Sequence, residues 1–155
     1  MIYWILIISA AVFAAFQLVK IQNKLAFTIT CVQILGILLS LVGNLGFVSI
    51  IGVSWGLYLI SLCTVLFYSI SCLKSHKRRW LLILTMPILL TNVFQFFHFP
   101  GAGWLGILCV LSIGVYFWIF AQRRLYANEF AFLTIMVADA LIIFLLRIPW
   151  IIQKL

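Results

Sequence analysis

The feature of this sequence that most limits its fold is a series of six apolar runs, separated by charges or by glycine and proline. A helix rises about 1.5 Å per residue, so about 20 apolar residues cross the roughly 30 Å hydrocarbon core of a bilayer. Each run is close to that length or exceeds it, which predicts six spans. The runs cover residues 2–19, 25–42, 47–73, 80–97, 103–121 and 130–150.

Composition indicates that lipid, not water, surrounds most of this chain. Apolar residues make up 67% of it and charged residues only 8%, whereas an ordinary soluble domain is roughly 25% charged. The segments between the runs are too short to fold by themselves. The sequence therefore predicts an all-α, polytopic integral membrane protein. We expect a single transmembrane domain over residues 1–155, a six-span helical bundle of three hairpins with no soluble domain.

The third run is the longest, and its beginning is rich in glycine. Glycines at 43, 46 and 52 allow backbone conformations that break a helix. We expect this stretch to form a bend or a partial re-entrant segment, with the helix proper starting near Ser54, and the sequence does not decide between these two.

The basic residues predict how the bundle is oriented. Most of them follow the first, third and fifth runs and therefore lie on one face, whereas Arg147 and Lys154 lie near the other. By the positive-inside rule the basic face is cytoplasmic, both termini face outward, and we expect a bacterial inner membrane. Because the +8 net charge marks orientation, we expect no nucleic acid partner. The residues on the basic face are Lys20, Lys24, Lys74, Lys77, Arg78, Arg79, Arg123 and Arg124.

Asp139 is the most informative single residue, because it lies near the middle of the sixth run. An ionised side chain at the centre of a membrane helix costs roughly 2.5–3.5 kcal/mol. A buried carboxyl is therefore neutral and hydrogen-bonded, or couples to a proton or ion, or pairs with a partner subunit. Arg147 follows eight residues later on a different side of the helix, so we expect it to reach the outer interface and not Asp139.

The fourth run carries a polar stripe around Pro87. Such side chains either hold helices together by hydrogen bonds or line a polar path. By depth, Asn92 lies within about one turn of Asp139, so a contact between the fourth and sixth spans is possible. The stripe consists of Thr85, Thr91, Asn92, Gln95 and His98.

No group of residues in the sequence predicts catalysis, metal binding or a cofactor. His76 and His98 belong to opposite membrane faces, and the four cysteines fall inside apolar runs as small core residues. The sequence shows no arrangement of residues in which a nucleophile would have a base beside it. We therefore expect no enzyme activity, no cofactor and no metal.

Small residues at four-residue spacing predict close helix packing. Gly52 and Gly56 form a G-x-x-x-G motif, and Ala10 and Ala14 repeat the spacing in the first run. The pattern does not say whether the partner helix belongs to this chain or to another subunit.

The turn between the fourth and fifth runs, Phe97-His98-Phe99-Pro100-Gly101-Ala102-Gly103, resembles the H-W-P-G-A loop of the gliding-motility and type 9 secretion motor L family of Bacteroidota. The resemblance implies a tight helical hairpin in an inner-membrane protein. That family carries a glutamate in the span after the loop, whereas residues 103–121 here contain no acid. The proton-driven motor function of the family therefore does not carry over, and Asp139 is not equivalent to its glutamate.

Two functional hypotheses follow from the sequence. The first is a small non-catalytic accessory or structural subunit of a larger membrane complex. Its partners would be the lipid bilayer and other membrane-protein subunits or further copies of itself. The alternative is a small proton-linked transporter or channel with a path along the fourth span past Asp139. The residues of interest under either hypothesis are Asp139, Asn92, Gln95, Thr91, His98 and Arg147.

Overall fold

The computed structural model describes residues 2–44, 48–71 and 79–152, and these residues form six α-helices and no strand. Every helix end lies within two residues of the end expected from the apolar runs. The helices are α1 Ile2–Leu18, α2 Lys24–Asn44, α3 Val48–Ser71, α4 Arg79–Phe96, α5 Ala102–Ala121 and α6 Phe130–Ile152.

Five of these helices are long and apolar enough to cross a membrane. The spanning windows in α2 to α6 have mean hydropathies between 1.3 and 2.3. The remaining helix, α1, is apolar but has only 17 residues, which is the lower end of the spanning range of about 17–25. Helices of this length and composition indicate an integral membrane protein.

From Val48 onward the expected break is not formed, and residues 45–47, the other part of that stretch, lie outside the described residues. α3 is continuously helical from Val48 through Gly52, because in lipid a helix satisfies every backbone group internally whereas a bend leaves some unpaired. A glycine permits a break but does not require one. Gly43 instead lets α2 approach α3, since a Cβ atom there would lie only 2.6 Å from the Ile51 Cγ1.

α6 is the central helix of the bundle. Consecutive helices pack side by side from α1 to α6, and α6 also contacts α1, α2 and α4. Most side chains of its first half are buried, so residues on this half face other helices and not lipid. Asp139 therefore lies on the helix that the others enclose.

Pro87 does not interrupt α4, which remains helical from Arg79 to Phe96. Proline removes one backbone donor from the helix interior, and polar side chains bond to the carbonyl groups around it. The Thr91 hydroxyl donates to the Pro87 carbonyl at 2.7 Å, and Ser112 on α5 donates to the Leu84 carbonyl at 2.7 Å. The second bond also ties α5 to α4.

The cysteines differ in their surroundings, and the expectation that all are core residues was wrong for Cys63. Cys109 is buried and Cys31 is half-buried, but Cys63 is exposed on the outside of α3. A small apolar thiol is compatible with a lipid-facing surface as well as with a core. Cys72 lies outside the described residues.

Candidate functional site

Asp139 joins three helices through one carboxylate oxygen. Its Oδ2 accepts a hydrogen bond from the Tyr58 hydroxyl of α3 at 2.8 Å and another from the Asn92 Nδ2 of α4 at 2.9 Å. Both donors are neutral, so they solvate the carboxyl group without supplying a positive charge. The site is therefore a hydrogen-bonded acid at the meeting point of α3, α4 and α6.

Asn92 is held in place by a second bond. It is fully buried, and its Nδ2 also donates to the Ile88 carbonyl at 3.0 Å. Both hydrogens of the amide group are thus used, which fixes its orientation toward Asp139. The Asn92 Oδ1 is buried and has no partner among the described residues.

The sequence did not point to Tyr58, because an aromatic residue within an apolar run is expected to pack as an apolar side chain. The spacing of the two acidic residues in the sequence could have indicated Tyr58. Tyr68 of α3 donates to the Glu129 Oε1 at 2.8 Å, as Tyr58 donates to Asp139. The two tyrosines are separated by the same number of residues as the two acids. Both acidic residues of the chain therefore accept a tyrosine hydroxyl from α3.

Glu129 belongs to a second polar cluster, where the segments that precede α2 and α6 meet. Asn23 donates to the Tyr68 hydroxyl at 3.4 Å and caps α2 by accepting from the Leu25 backbone at 2.9 Å. The Asn128 side chain accepts from the Gln22 backbone at 2.9 Å. These bonds hold the α1–α2 and α5–α6 connections together.

Tyr126 lies in the same α5–α6 connection, outside the helices. Burial, and then the negative charge of Glu129, raise the pKa of the Tyr126 hydroxyl. A raised pKa favours the protonated form of a phenol. Tyr126 is therefore a neutral residue of this cluster and contributes no charge to the basic face.

The other members of the expected polar stripe do not reach Asp139. Thr85 and Thr91 are fully buried, and each bonds to a carbonyl of α4. Thr91 also lies 3.7 Å from the Cys109 Sγ of α5. Gln95 is half-buried, and its side chain forms no hydrogen bond with a described residue. The stripe is thus a helix-packing surface over most of its length, with Asn92 alone touching the acid.

His98 ends α4. Its φ is 55°, and the Phe99 backbone donates to the Phe94 carbonyl at 2.9 Å while the His98 backbone donates to the Gln95 carbonyl at 3.2 Å. These two bonds form a Schellman motif, and the rings of Phe94 and Phe99 provide the apolar contact that accompanies it. The exposed His98 therefore has a structural role as a helix cap.

Arg147 lies against α5 and away from Asp139. A Cβ atom on Gly106 would lie 3.1 Å from the Arg147 Cγ and 3.5 Å from its Nε. The aliphatic part of the half-buried side chain thus crosses α5 at a glycine. Arg147 is not the counter-ion of Asp139.

A cleft of about 130 Å³ lies beside Asp139, between α1, α2, α3 and α6. Helix α4 does not line it, so the cleft lies on a different side of Asp139 from the polar stripe. Isoleucines of α1 and α2 form its apolar wall. The remaining lining residues are Gly36, Ser40, Ser54, Trp55, Tyr58 and Asp139.

The site holds one carboxyl group with two neutral hydrogen-bond donors, and such a group can bind a cation or a proton. The partners of Asp139 are a phenol and an amide, neither of which acts as a base beside it. Within residues 2–44, 48–71 and 79–152 no cluster of three metal-ligating side chains occurs. Comparison with protein-family models, curated proteins and solved structures finds no match.

Proposed function

We propose that this protein is a small non-catalytic subunit of a larger membrane complex, in an accessory or structural role. The observation that carries the proposal is the position of the G-x-x-x-G motif on α3. A Cβ atom on Gly52 or on Gly56 would meet nothing within 4 Å among the described residues. No described residue therefore packs closely against these two glycines, and small residues with open surroundings let another helix approach closely.

The short connections between helices agree with such a role. The described connections at residues 19–23, 97–101 and 122–129 carry no domain of their own. Contacts with partner subunits would therefore be made by helices within the bilayer. The neutral partners of Asp139 support a non-catalytic role, since the acid has a bonding arrangement but no neighbouring base.

Affinity purification in a mild detergent tests this proposal. We expect the protein to elute with fixed partner subunits or as a homo-oligomer, and Gly56→Leu to elute without them. Gly114→Leu on α5 is the control, because Gly114 is exposed and a Cβ atom there, like one on Gly56, meets nothing within 4 Å. A wild-type chain that elutes alone, or equal loss of partners in both variants, would contradict the proposal.

We further propose that the basic face is cytoplasmic in a bacterial inner membrane, with both termini outward. Lys20 and Phe99 are exposed in connections at opposite ends of the helices. In a cysteine-free background, we expect Phe99→Cys to react with an impermeant maleimide in intact cells. Lys20→Cys should react only after permeabilisation. Labelling of Lys20→Cys in intact cells would show that the orientation is the opposite of the one proposed.

A second candidate function, proton-linked transport, is favoured by unpartnered polar groups in the bundle at the depth of Asp139. Two polar groups near the acid's depth are buried without a partner among the described residues. They are the Asn92 Oδ1 and the whole side-chain amide of Gln33 on α2. Buried groups of this kind usually bond to ordered water, and water beside a membrane-embedded acid supplies a route for protons.

A further inference from the structure

Asp139 lacks a positively charged partner among the described residues. Its Oδ2 accepts from Tyr58 and Asn92, both neutral. The nearest basic residue along α6, Arg147, is about 12 Å further along the axis and lies against Gly106. An ionised carboxylate in an apolar surrounding is costly without a charged partner, and a cation that reaches it offsets part of that cost.

The second carboxylate oxygen of Asp139 is available to such a cation. Oδ1 accepts no hydrogen bond from the described residues. The fully enclosed polar atoms without a partner in the same part of the chain belong to Gln33 and Asn92, and not to Asp139. Because Asp139 lines the cleft and its Oδ1 is not among the enclosed atoms, a cation in the cleft can approach this oxygen.

Two of the three hydroxyl groups that line the cleft, those of Ser54 and Tyr58, favour a ligand that donates hydrogen bonds. The Tyr58 hydroxyl donates its hydrogen to Asp139, and the Ser54 hydroxyl donates to the Ile51 carbonyl at 2.8 Å. Both oxygens therefore offer only lone pairs to a molecule in the cleft. Together with the Asp139 carboxylate, they form a set of acceptors that matches the hydrogens of an ammonium group.

The size and the walls of the cleft indicate an organic cation. Its volume of about 130 Å³ is close to the roughly 150 Å³ cavity that holds a benzene molecule in an engineered protein. Trp55 and Tyr58 contribute aromatic rings, which attract ammonium ions, and the isoleucine side chains accommodate alkyl groups. A metal ion, in contrast, requires several oxygen ligands around a smaller space.

We propose that the cleft between α1, α2, α3 and α6 binds a small alkylammonium ion, with the Asp139 carboxylate as its counter-ion. Binding of this cation at equilibrium is compatible with either role of the chain, as a subunit or as a transporter. The ammonium group can come from a free amine or from an ethanolamine phospholipid headgroup. The recognition chemistry is the same for both sources.

Isothermal titration calorimetry on the full chain in phosphatidylglycerol nanodiscs tests the proposal. The probe is isopropylammonium chloride. 2-Propanol serves as a neutral molecule of similar shape, and sodium chloride controls for ionic strength. We expect saturable binding of isopropylammonium only. Repeating the titration with ethanolamine phospholipid in the nanodisc distinguishes the sources, because a headgroup that reaches the cleft weakens the apparent affinity of the probe.

Two variants probe the cleft independently. Asp139→Asn removes the charge and Ser40→Ile fills the space from α2, and we expect each to weaken binding by about tenfold or more. The matched control is Thr64→Ile, in a separate apolar cavity of about 60 Å³ that has no charged lining residue. The affinity of the Thr64→Ile protein for isopropylammonium should stay within about twofold of the wild type. A tenfold change corresponds to about 1.4 kcal/mol.

Three results would overturn the proposal. The first is no saturable heat with isopropylammonium. The second is equal binding of 2-propanol or sodium. The third is unchanged affinity in an Asp139→Asn protein whose circular dichroism and melting temperature match the wild type. If Asp139→Asn does not fold, Ser40→Ile decides the question, because Ser40 lines the cleft but forms none of the hydrogen bonds to the acid.

Discussion

Gly43→Leu should destabilise the protein much more than a leucine placed at a glycine with open surroundings. A Cβ atom at this position would lie 2.6 Å from the Ile51 Cγ1 and 3.2 Å from the Ile51 backbone nitrogen. A rotamer change of Ile51 relieves the first contact but not the second, so α2 and α3 must separate. Overpacking of this kind costs about 1–3 kcal/mol, and the larger leucine side chain places the expected effect at the upper end.

Unfolding in sodium dodecyl sulfate, followed by circular dichroism, measures this effect. Gly114→Leu is the control for adding leucine to a helix, because Gly114 is exposed on α5 and its surroundings are open. We expect Gly114→Leu to be within about 0.5 kcal/mol of the wild type, as is usual for surface positions. Equal unfolding curves for the two variants would show that α2 and α3 do not approach each other at Gly43.

The helices could be predicted from the sequence because lipid imposes a simple length rule. Apolar runs of spanning length end at charges or at glycine and proline, and the ends of α5 and α6 lie close to the runs that predicted them. The helix through Gly52 was the exception. Local backbone preference gave the wrong result there, because glycine signals a possible break while the need to satisfy backbone groups in lipid favours a continuous helix.

The site was only partly predictable. Counting depth along the helices placed Asn92 near Asp139, and the structure joins them by a hydrogen bond. The same counting does not give the rotation of a helix about its axis, and that rotation determines which side chains of adjacent helices are in contact. The cleft residues of α2 and α3 were missed for this reason, whereas Tyr58 was missed because an aromatic residue in an apolar run is expected to pack as an apolar side chain. Arg147 was correctly separated from Asp139, but its contact with Gly106 depends on helix packing that no spacing rule supplies.

The structure shows which glycines pack against another helix, which the spacing of the G-x-x-x-G motif does not. Sequence spacing favoured close packing at Gly52 and Gly56 but left the partner helix open. In the bundle the glycines that other residues approach are Gly36, Gly43 and Gly106, none of which belongs to that motif. Among the described residues, the glycines that pack within the chain are therefore not those of the G-x-x-x-G motif. The motif has open surroundings, as the proposed contact with another subunit requires.

Asp139→Leu should cost about 1–3 kcal/mol of stability, because it removes the acceptor for two donors. The Tyr58 hydroxyl and one hydrogen of Asn92 would lose their partner, and leucine offers nothing in exchange. Asp139→Asn should cost less than about 1 kcal/mol, since the amide oxygen can replace Oδ2 as acceptor of both bonds. The unfolding assay used for Gly43 measures both variants, and equal losses would mean that these two hydrogen bonds do not stabilise the bundle.

The same Asp139→Asn protein separates the two candidate functions. A side-chain amide keeps the shape of the carboxyl group but does not exchange a proton at physiological pH, so it preserves assembly and blocks proton transfer. For a subunit, we expect unchanged co-purification of partners, and the same proton permeability in liposomes containing wild-type protein, Asp139→Asn protein or no protein. A wild-type proton flux that disappears in a well-folded Asp139→Asn protein would contradict the subunit proposal. It would assign Asp139, with its neutral Tyr58 and Asn92 donors, to a proton path.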